Sequence, residues 1–159
     1  MAIHVVLVQP EIHWNTGNAG RSCLAVGAQL HLVRPLGFSL DEREVKRAGL
    51  DYWGEVNPVI WDSWESLDKA LPSLGTPFFF STKATRTLWD APLGRPADVV
   101  LLFGRETGGL APSIHEKYAD QFVGMPIHSD RVRSLNLSTA VAIALYETLR
   151  QRRSPARER

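Results

Sequence analysis

The sequence predicts an α/β fold, a parallel sheet with helices on both of its faces. Two observations carry this. Short runs rich in β-branched and aromatic residues alternate with helix-like segments from one end of the chain to the other, the pattern of βα units rather than of hairpins. The two clearest runs, residues 3–8 and 98–103, are almost continuously apolar, as strands buried on both faces are.

The elements follow in order. Residues 3–8 read as a strand ended by Gln9-Pro10. Asn15, Thr16, Gly17 and Asn18 supply polar capping residues for a short helix over residues 19–27, closed by Gly27. Residues 30–33 form a second strand, stopped by Pro35, and residues 41–48 a charged surface helix with Gly49 past its end. Residues 56–61 are strand-like. Ser63 caps a helix running to Leu71, ahead of Pro72. Strands follow at 78–81 and 98–103, a short helix after Pro112, and a last strand at 121–125. The strongest helix pattern is residues 138–151, where Leu137, Val141, Leu145 and Leu149 recur every four residues.

At 159 residues the chain has the length of one domain. The expected division is a single domain over residues 1–150 and a flexible basic tail over residues 151–159. Of 18 Lys and Arg residues, five stand at positions 150–159 beside one glutamate, so that segment carries +4 and the remainder −3. This excludes a general nucleic-acid coat and leaves a local basic segment able to touch phosphate, or simply a solvated end. One cysteine, Cys23, excludes an internal disulfide and a cysteine-built zinc cage. No His-x₃-His or His-x-x-Glu pair occurs, so no metal is expected. The first eight residues lack a basic leader and a cleavage site, and no apolar run reaches ~18–20 residues. A cytoplasmic protein without a membrane segment is expected.

In parallel sheets ligands sit beyond the carboxyl ends of the strands. Three segments lie there. The first, residues 15–23, holds Asn15, Asn18 and Arg21 at a helix start, where free N–H groups attract an anion. Arg21, in or near the first turn, is there unfavourable to the helix itself unless a bound phosphate compensates. The alternative is a Gly-rich turn whose arginine pairs a carboxylate. The second segment runs from a hydrophobic strand into Gly104-Arg105-Glu106-Thr107-Gly108-Gly109. It is neither a dinucleotide fingerprint nor a P-loop. Glu106 either fixes an arginine or a polar ligand group, or is an exposed residue of a tight turn. The third runs from Met125 to Ser138, where Ser134, Asn136 and Ser138 are all good caps although one suffices. Trp14 is placed to stack on a base.

Taken together, these segments resemble the three signature motifs of the SPOUT superfamily of RNA methyltransferases, and within it the TrmH-like group. The residues carrying the resemblance are Pro10-Glu11-Ile12 with Asn15 to Asn18 and Arg21, then Arg47 to Tyr52, Ser81-Thr82-Lys83, Phe103 to Thr107, Gly109-Leu110, and Ser134 to Ser138 running to Tyr146-Glu147. His13-Trp14 and Arg105 stand where the group usually has prolines. The resemblance covers about residues 3–150 and lies nearest to tRNA (cytidine/uridine-34-2'-O)-methyltransferases. It implies 2'-O-methylation of the wobble nucleotide of tRNA. The alternatives are another tRNA or rRNA position, or a non-catalytic RNA-binding protein on the same fold. It further implies a deep C-terminal trefoil knot, a homodimer, for which the small-residue face of the last helix with Tyr146 is the candidate interface, and S-adenosylmethionine as cofactor. By position, the cofactor falls on Phe80, Ser81, Thr82, Gly104, Gly109, Met125, Pro126, Ile127, Ser134 and Leu135. Arg21, Glu106, Asn136 and Ser138 take catalytic roles, with Glu106 orienting Arg21 or the ribose. Asn15, Asn18, Arg21 and Tyr146 meet the substrate.

Overall fold

The computed structural model describes residues 1–41, 43 and 52–153. Among these, six strands form one all-parallel sheet: β1 (Ile3–Val8), β2 (Gln29–Val33), β3 (Val59–Trp61), β4 (Thr76–Phe80), β5 (Val99–Phe103) and β6 (Phe122–Val123). Their spatial order is β3-β2-β1-β5-β4-β6. Five helices are described: α1 (His13–Val26), α2 (Trp53–Val56), α3 (Trp64–Leu74), α4 (Pro112–Lys117) and α5 (Leu137–Gln151). The charged helix expected over residues 41–48 and the end of the basic tail lie outside the described residues.

Neighbouring residues of a strand point to opposite faces, and both faces here are covered. Val5, Leu7, Leu101 and Phe103 pack with Ala19 and Cys23 of α1, Val56 of α2, and Val141 and Leu145 of α5. Val6, Val8, Phe79 and Leu102 pack on the other side with Leu67 and Leu71 of α3 and Ile114 of α4. That two-sided burial is why β1 and β5 read as unbroken apolar runs. Burial pushes the Cys23 thiol up to about 12, so it is an inert core group.

Four expected boundaries move. α1 begins at His13, six residues before the expected start, so Asn15 to Asn18 lie inside the helix and do not cap it. Its N-cap, Ile12, has no side-chain cap bond; the acceptor comes from a distant carboxylate described below. Arg21 is therefore in the middle of α1, not in its first turn. Val56 closes the short helix α2, and β3 starts only after Asn57-Pro58. α3 starts at Ser63 with a capping box, as expected, but continues through Pro72 to Leu74. Proline there removes one backbone bond in the last turn, and burial of Leu67 and Leu71 outweighs it. Finally, the expected tail is partly docked: Gln151 donates to the Ala91 carbonyl and Arg152 to those of Met1, Pro96 and Ala97. No helix among the described residues is long and apolar enough to cross a membrane.

Candidate active site

The strand order reverses at β1, which pairs with β2 on one side and β5 on the other. The crevice outside the carboxyl ends of β1 and β5 is thus the switch point where such sheets bind ligands. Two loops meet there. The Glu106 carboxylate accepts the backbone N–H groups of Glu11 at 2.9 Å and Ile12 at 2.8 Å, and the Asn15 amide at 3.3 Å. In return the Glu11 carboxylate accepts the backbone N–H of Thr107 at 2.9 Å and its hydroxyl at 2.7 Å. The Thr107 hydroxyl, then its N–H, holds the Glu11 carboxyl below its usual range. The anion that the start of α1 attracts is therefore the protein's own Glu106.

The third loop joins the same network. Asn15 is 4% exposed, and its carbonyl oxygen accepts the Asn136 amide at 3.0 Å. The Asn136 oxygen in turn caps α5. It accepts the backbone N–H groups of Ser138 and Thr139 and, at 2.6 Å, the Ser138 hydroxyl. A continuous line, Glu106–Asn15–Asn136–Ser138, ties the three segments singled out in the sequence into one structure. One N–H and one oxygen lone pair of the Asn15 amide are thus engaged within the chain.

The residues expected around the cofactor gather at the carboxyl ends of three adjacent strands. Phe80 pairs in register with Phe103 and Val123, and its ring stacks on Phe103 at 4.7 Å. Ser81 and Thr82, Gly104 to Gly109, and Met125 to Ile127 leave those strand ends side by side. Met125 packs on the core, Pro126 and Ile127 are half-buried, and Ser134 and Leu135 stand exposed beyond them. Gly104 faces the chain itself: a Cβ there would lie 2.3 Å from the Gly109 carbonyl carbon. Gly109 has φ +64 with open space where a Cβ would stand, so it supplies the left-handed turn and leaves its flank clear.

Arg21 is not brought to Glu106, whose oxygens are taken by the start of α1. Its guanidinium lies 5.9 Å above the ring of Tyr52, and Tyr52 donates its hydroxyl to the Gly17 carbonyl at 2.9 Å. With Asn18 and Trp14, which is 59% exposed, Arg21 forms an open stripe along α1. On α5, which packs against α1, Ile143 and Tyr146 are exposed. Ala144 of that helix is buried in the core, so the open face of α5 is the Thr139, Ile143, Tyr146 and Arg150 side rather than the small-residue side.

A strand-end site built from these three segments has close counterparts. The profile of the SpoU rRNA methylase family matches residues 2–146. This chain belongs to the SpoU rRNA methylase family. A Bacillus subtilis (strain 168) protein provisionally named tRNA (cytidine(34)-2'-O)-methyltransferase is 47% identical, over 95% of this chain and 94% of its own. The Burkholderia pseudomallei (strain 1106a) protein named tRNA (cytidine(34)-2'-O)-methyltransferase is 41% identical, over 93% and 94%. A solved structure presented as "Structural insights into the 2-OH methylation of C/U34 on tRNA" is 43% identical with a TM-score of 0.84, covering 94% of this chain and 95% of that one.

Within this SpoU chain, three residues of the site carried no sequence signal of their own role. Glu11 and Thr107 form the return half of the latch, across 96 positions. Tyr52 holds Arg21 in place across 31, a pairing only the fold reveals. All three sat inside motifs carrying the family resemblance, which was the one available pointer.

Proposed function

We propose that this protein transfers a methyl group from S-adenosylmethionine to the 2'-hydroxyl of the ribose at nucleotide 34 of tRNA. The observation that carries the reading is the line from Glu106 through Asn15 and Asn136 to Ser138, which holds the three strand-end loops of a SpoU methylase in one arrangement. Relatives of nearly the same length that are named for the wobble nucleotide supply the position. Tritiated S-adenosylmethionine, bulk tRNA and ribosomal RNA test it: label must enter the tRNA fraction, and label confined to ribosomal RNA overturns the substrate.

The strand-end loops fit the cofactor. Exposed Leu135 and half-buried Met125 and Ile127 offer an apolar floor for an adenosine, and the open flank of Gly109 lets backbone groups approach it. The cofactor supplies a methyl group on a positively charged sulfur. The chain must then hold the ribose hydroxyl in line with that methyl, accommodate the developing negative charge on oxygen, and exclude water. Glu106, Asn15, Asn136 and Ser138 act as positioning residues: their hydrogen bonds are spent on the loops. Arg21 binds the phosphate next to the target ribose and stabilises the developing alkoxide; a guanidinium keeps its proton, so Arg21 is not the proton acceptor.

The same reading takes the protein as a homodimer acting in the cytoplasm, with a knotted C-terminal segment. Arg21 follows His13 by eight residues, so it lies ~12 Å along α1 from the start of that helix, which follows the end of β1. What supports the dimer is this separation together with the exposed Trp14, Leu24, Ile143 and Tyr146 on α1 and α5. A two-fold contact through these helices brings Arg21 of one protomer to the loops of the other. Mixing Arg21→Ala with Leu135→Asp, each inactive alone, then recovers activity; no recovery in a verified mixed dimer refutes the shared site. Docking of α5 onto Asn15 at its start and onto residues 91–97 at its end supports the knot.

A further inference from the structure

A second cleft, of about 390 Å³, lies at the β6 edge of the sheet, lined by residues of the loop after β4 and of the stretch from α4 into β6. Its floor is Phe122, on which the His115 ring stacks with centroids 4.2 Å apart. Lys83 and Arg86 line it from the loop side and Asp120 from the other. Among the described residues neither cation has an ion-pair partner; the acidic side chains that do pair are Asp62, Asp68, Asp98 and Glu147.

Arg86 is the telling residue. Its Nε–H is buried and has no hydrogen-bond partner. The guanidinium lies 5.9 Å over the Phe78 ring, which attracts the charge but offers no lone pair to that N–H. A buried donor without an acceptor is unfavourable, so the chain leaves this part of Arg86 unsatisfied. His115 is held below its usual range, first by burial and second by the charge of Lys83. Lys83, Arg86 and His115 thus line one cleft that holds one carboxylate, Asp120.

The cleft is also fixed to the candidate active site. Gly124 pairs with Thr87, donates to the Arg86 carbonyl at 2.8 Å and accepts the Leu88 N–H at 2.8 Å. Gly124 leads directly into Met125 to Ile127, and Ser81 and Thr82 lead directly into Lys83. The segments that line the cleft are thus continuous with the strand-end loops.

We propose that the cleft binds a backbone phosphate of the substrate RNA flanking the methylated nucleotide, with Lys83 and Arg86 as its principal ligands and His115 as a further donor. This rests on the RNA-methyltransferase reading above. Arginine and lysine beside a short aromatic floor suit a phosphate oxyanion, which takes several charge-assisted N–H donors at once.

The test uses full-length wild-type protein, Lys83→Gln and Arg86→Gln. Titration with tRNA at several salt concentrations gives affinity and its salt slope; calorimetry gives S-adenosylmethionine affinity. Each variant is expected to bind tRNA about tenfold or more weakly, with a salt slope smaller by roughly one and unchanged cofactor affinity. Wild-type affinity and slope in Lys83→Gln overturn the proposal, and that exposed residue decides alone if Arg86→Gln fails to fold. Loss of cofactor affinity with tRNA binding intact also overturns it, reassigning the cleft to the cofactor's carboxylate. Wild-type protein that neither binds nor methylates tRNA overturns the broader reading instead, whereas methylation with indifferent variants overturns this inference alone.

Discussion

Glu106→Gln strikes the latch at its centre. The glutamate presents two acceptor oxygens to three donors, the N–H groups of Glu11 and Ile12 at 2.9 and 2.8 Å and the Asn15 amide at 3.3 Å. Glutamine has nearly the same shape but only one acceptor oxygen, so its NH2 must face a donor. Losing one charge-assisted bond costs ~1.5–3 kcal/mol, and losing the negative charge at the start of α1 a further ~0.3–1 kcal/mol. The half-buried position places the sum at about 2–4 kcal/mol, which for a domain of this length lowers Tm by about 5–15 °C. Thermal melts followed by circular dichroism measure this. Methylation assayed well below the variant's Tm isolates the second effect: loops displaced by an ångström lose on the order of 10² in rate. A Tm within about 2 °C of wild type would refute the reasoning, because the carboxylate would then not be holding the two loops together.

Arg21→Ala removes an exposed side chain from mid-helix, so Tm and cofactor affinity hold while the methylation rate falls ~10²-fold or more; Arg21→Lys rescues little, because a point charge lacks the fork. A near wild-type rate in Arg21→Ala would remove it from the chemistry. Gly104→Val melts early, since its Cβ would sit 2.3 Å from the Gly109 carbonyl carbon, whereas Gly109→Ala, with open space but φ +64, costs only ~1–2 kcal/mol; equal melting temperatures would contradict both. His31, 2% exposed, accepts the Trp61 indole N–H at 3.0 Å and bonds His4 at 2.9 Å, and burial lowers its pKa from 6.5 to about 4. Its folded pKa is the lower one, so its contribution is complete above pH 6.5 and is lost as pH falls towards 4. Up to ~3 kcal/mol disappears across that window; denaturant titrations as a function of pH should show the slope in wild type and a flatter one in His31→Gln.

How far the fold was legible depends on where each signal lay. β1 and β5 were readable because both faces are buried, and the body of α5 because Val141 and Leu145 repeat at helical spacing into the core. The start of α1 was not readable: Asn15 to Asn18 are strong capping residues by type, yet the N-cap is Ile12, whose N–H is accepted by Glu106 more than 90 positions away. That shift moved Arg21 from a helix start to mid-helix and removed the local reason for a phosphate there. Pro72 misled in the same way, since a local breaker was overruled by the burial of Leu67 and Leu71. The three site segments were visible as glycine- and cap-rich stretches at strand ends, but the side chains that join them were not. The lining of the Lys83–Arg86 cleft is spread over some 40 positions with no common motif.

The most direct measurement uses two otherwise identical tRNA substrates, one with an ordinary ribose at nucleotide 34 and one with a 2'-deoxyribose there, each incubated with the enzyme and tritiated S-adenosylmethionine. Label should enter the first and be absent from the second, and the labelled product should resist alkaline cleavage after nucleotide 34. Equal labelling of both substrates would mean that the methyl group goes elsewhere, and the assignment of the acceptor would be wrong.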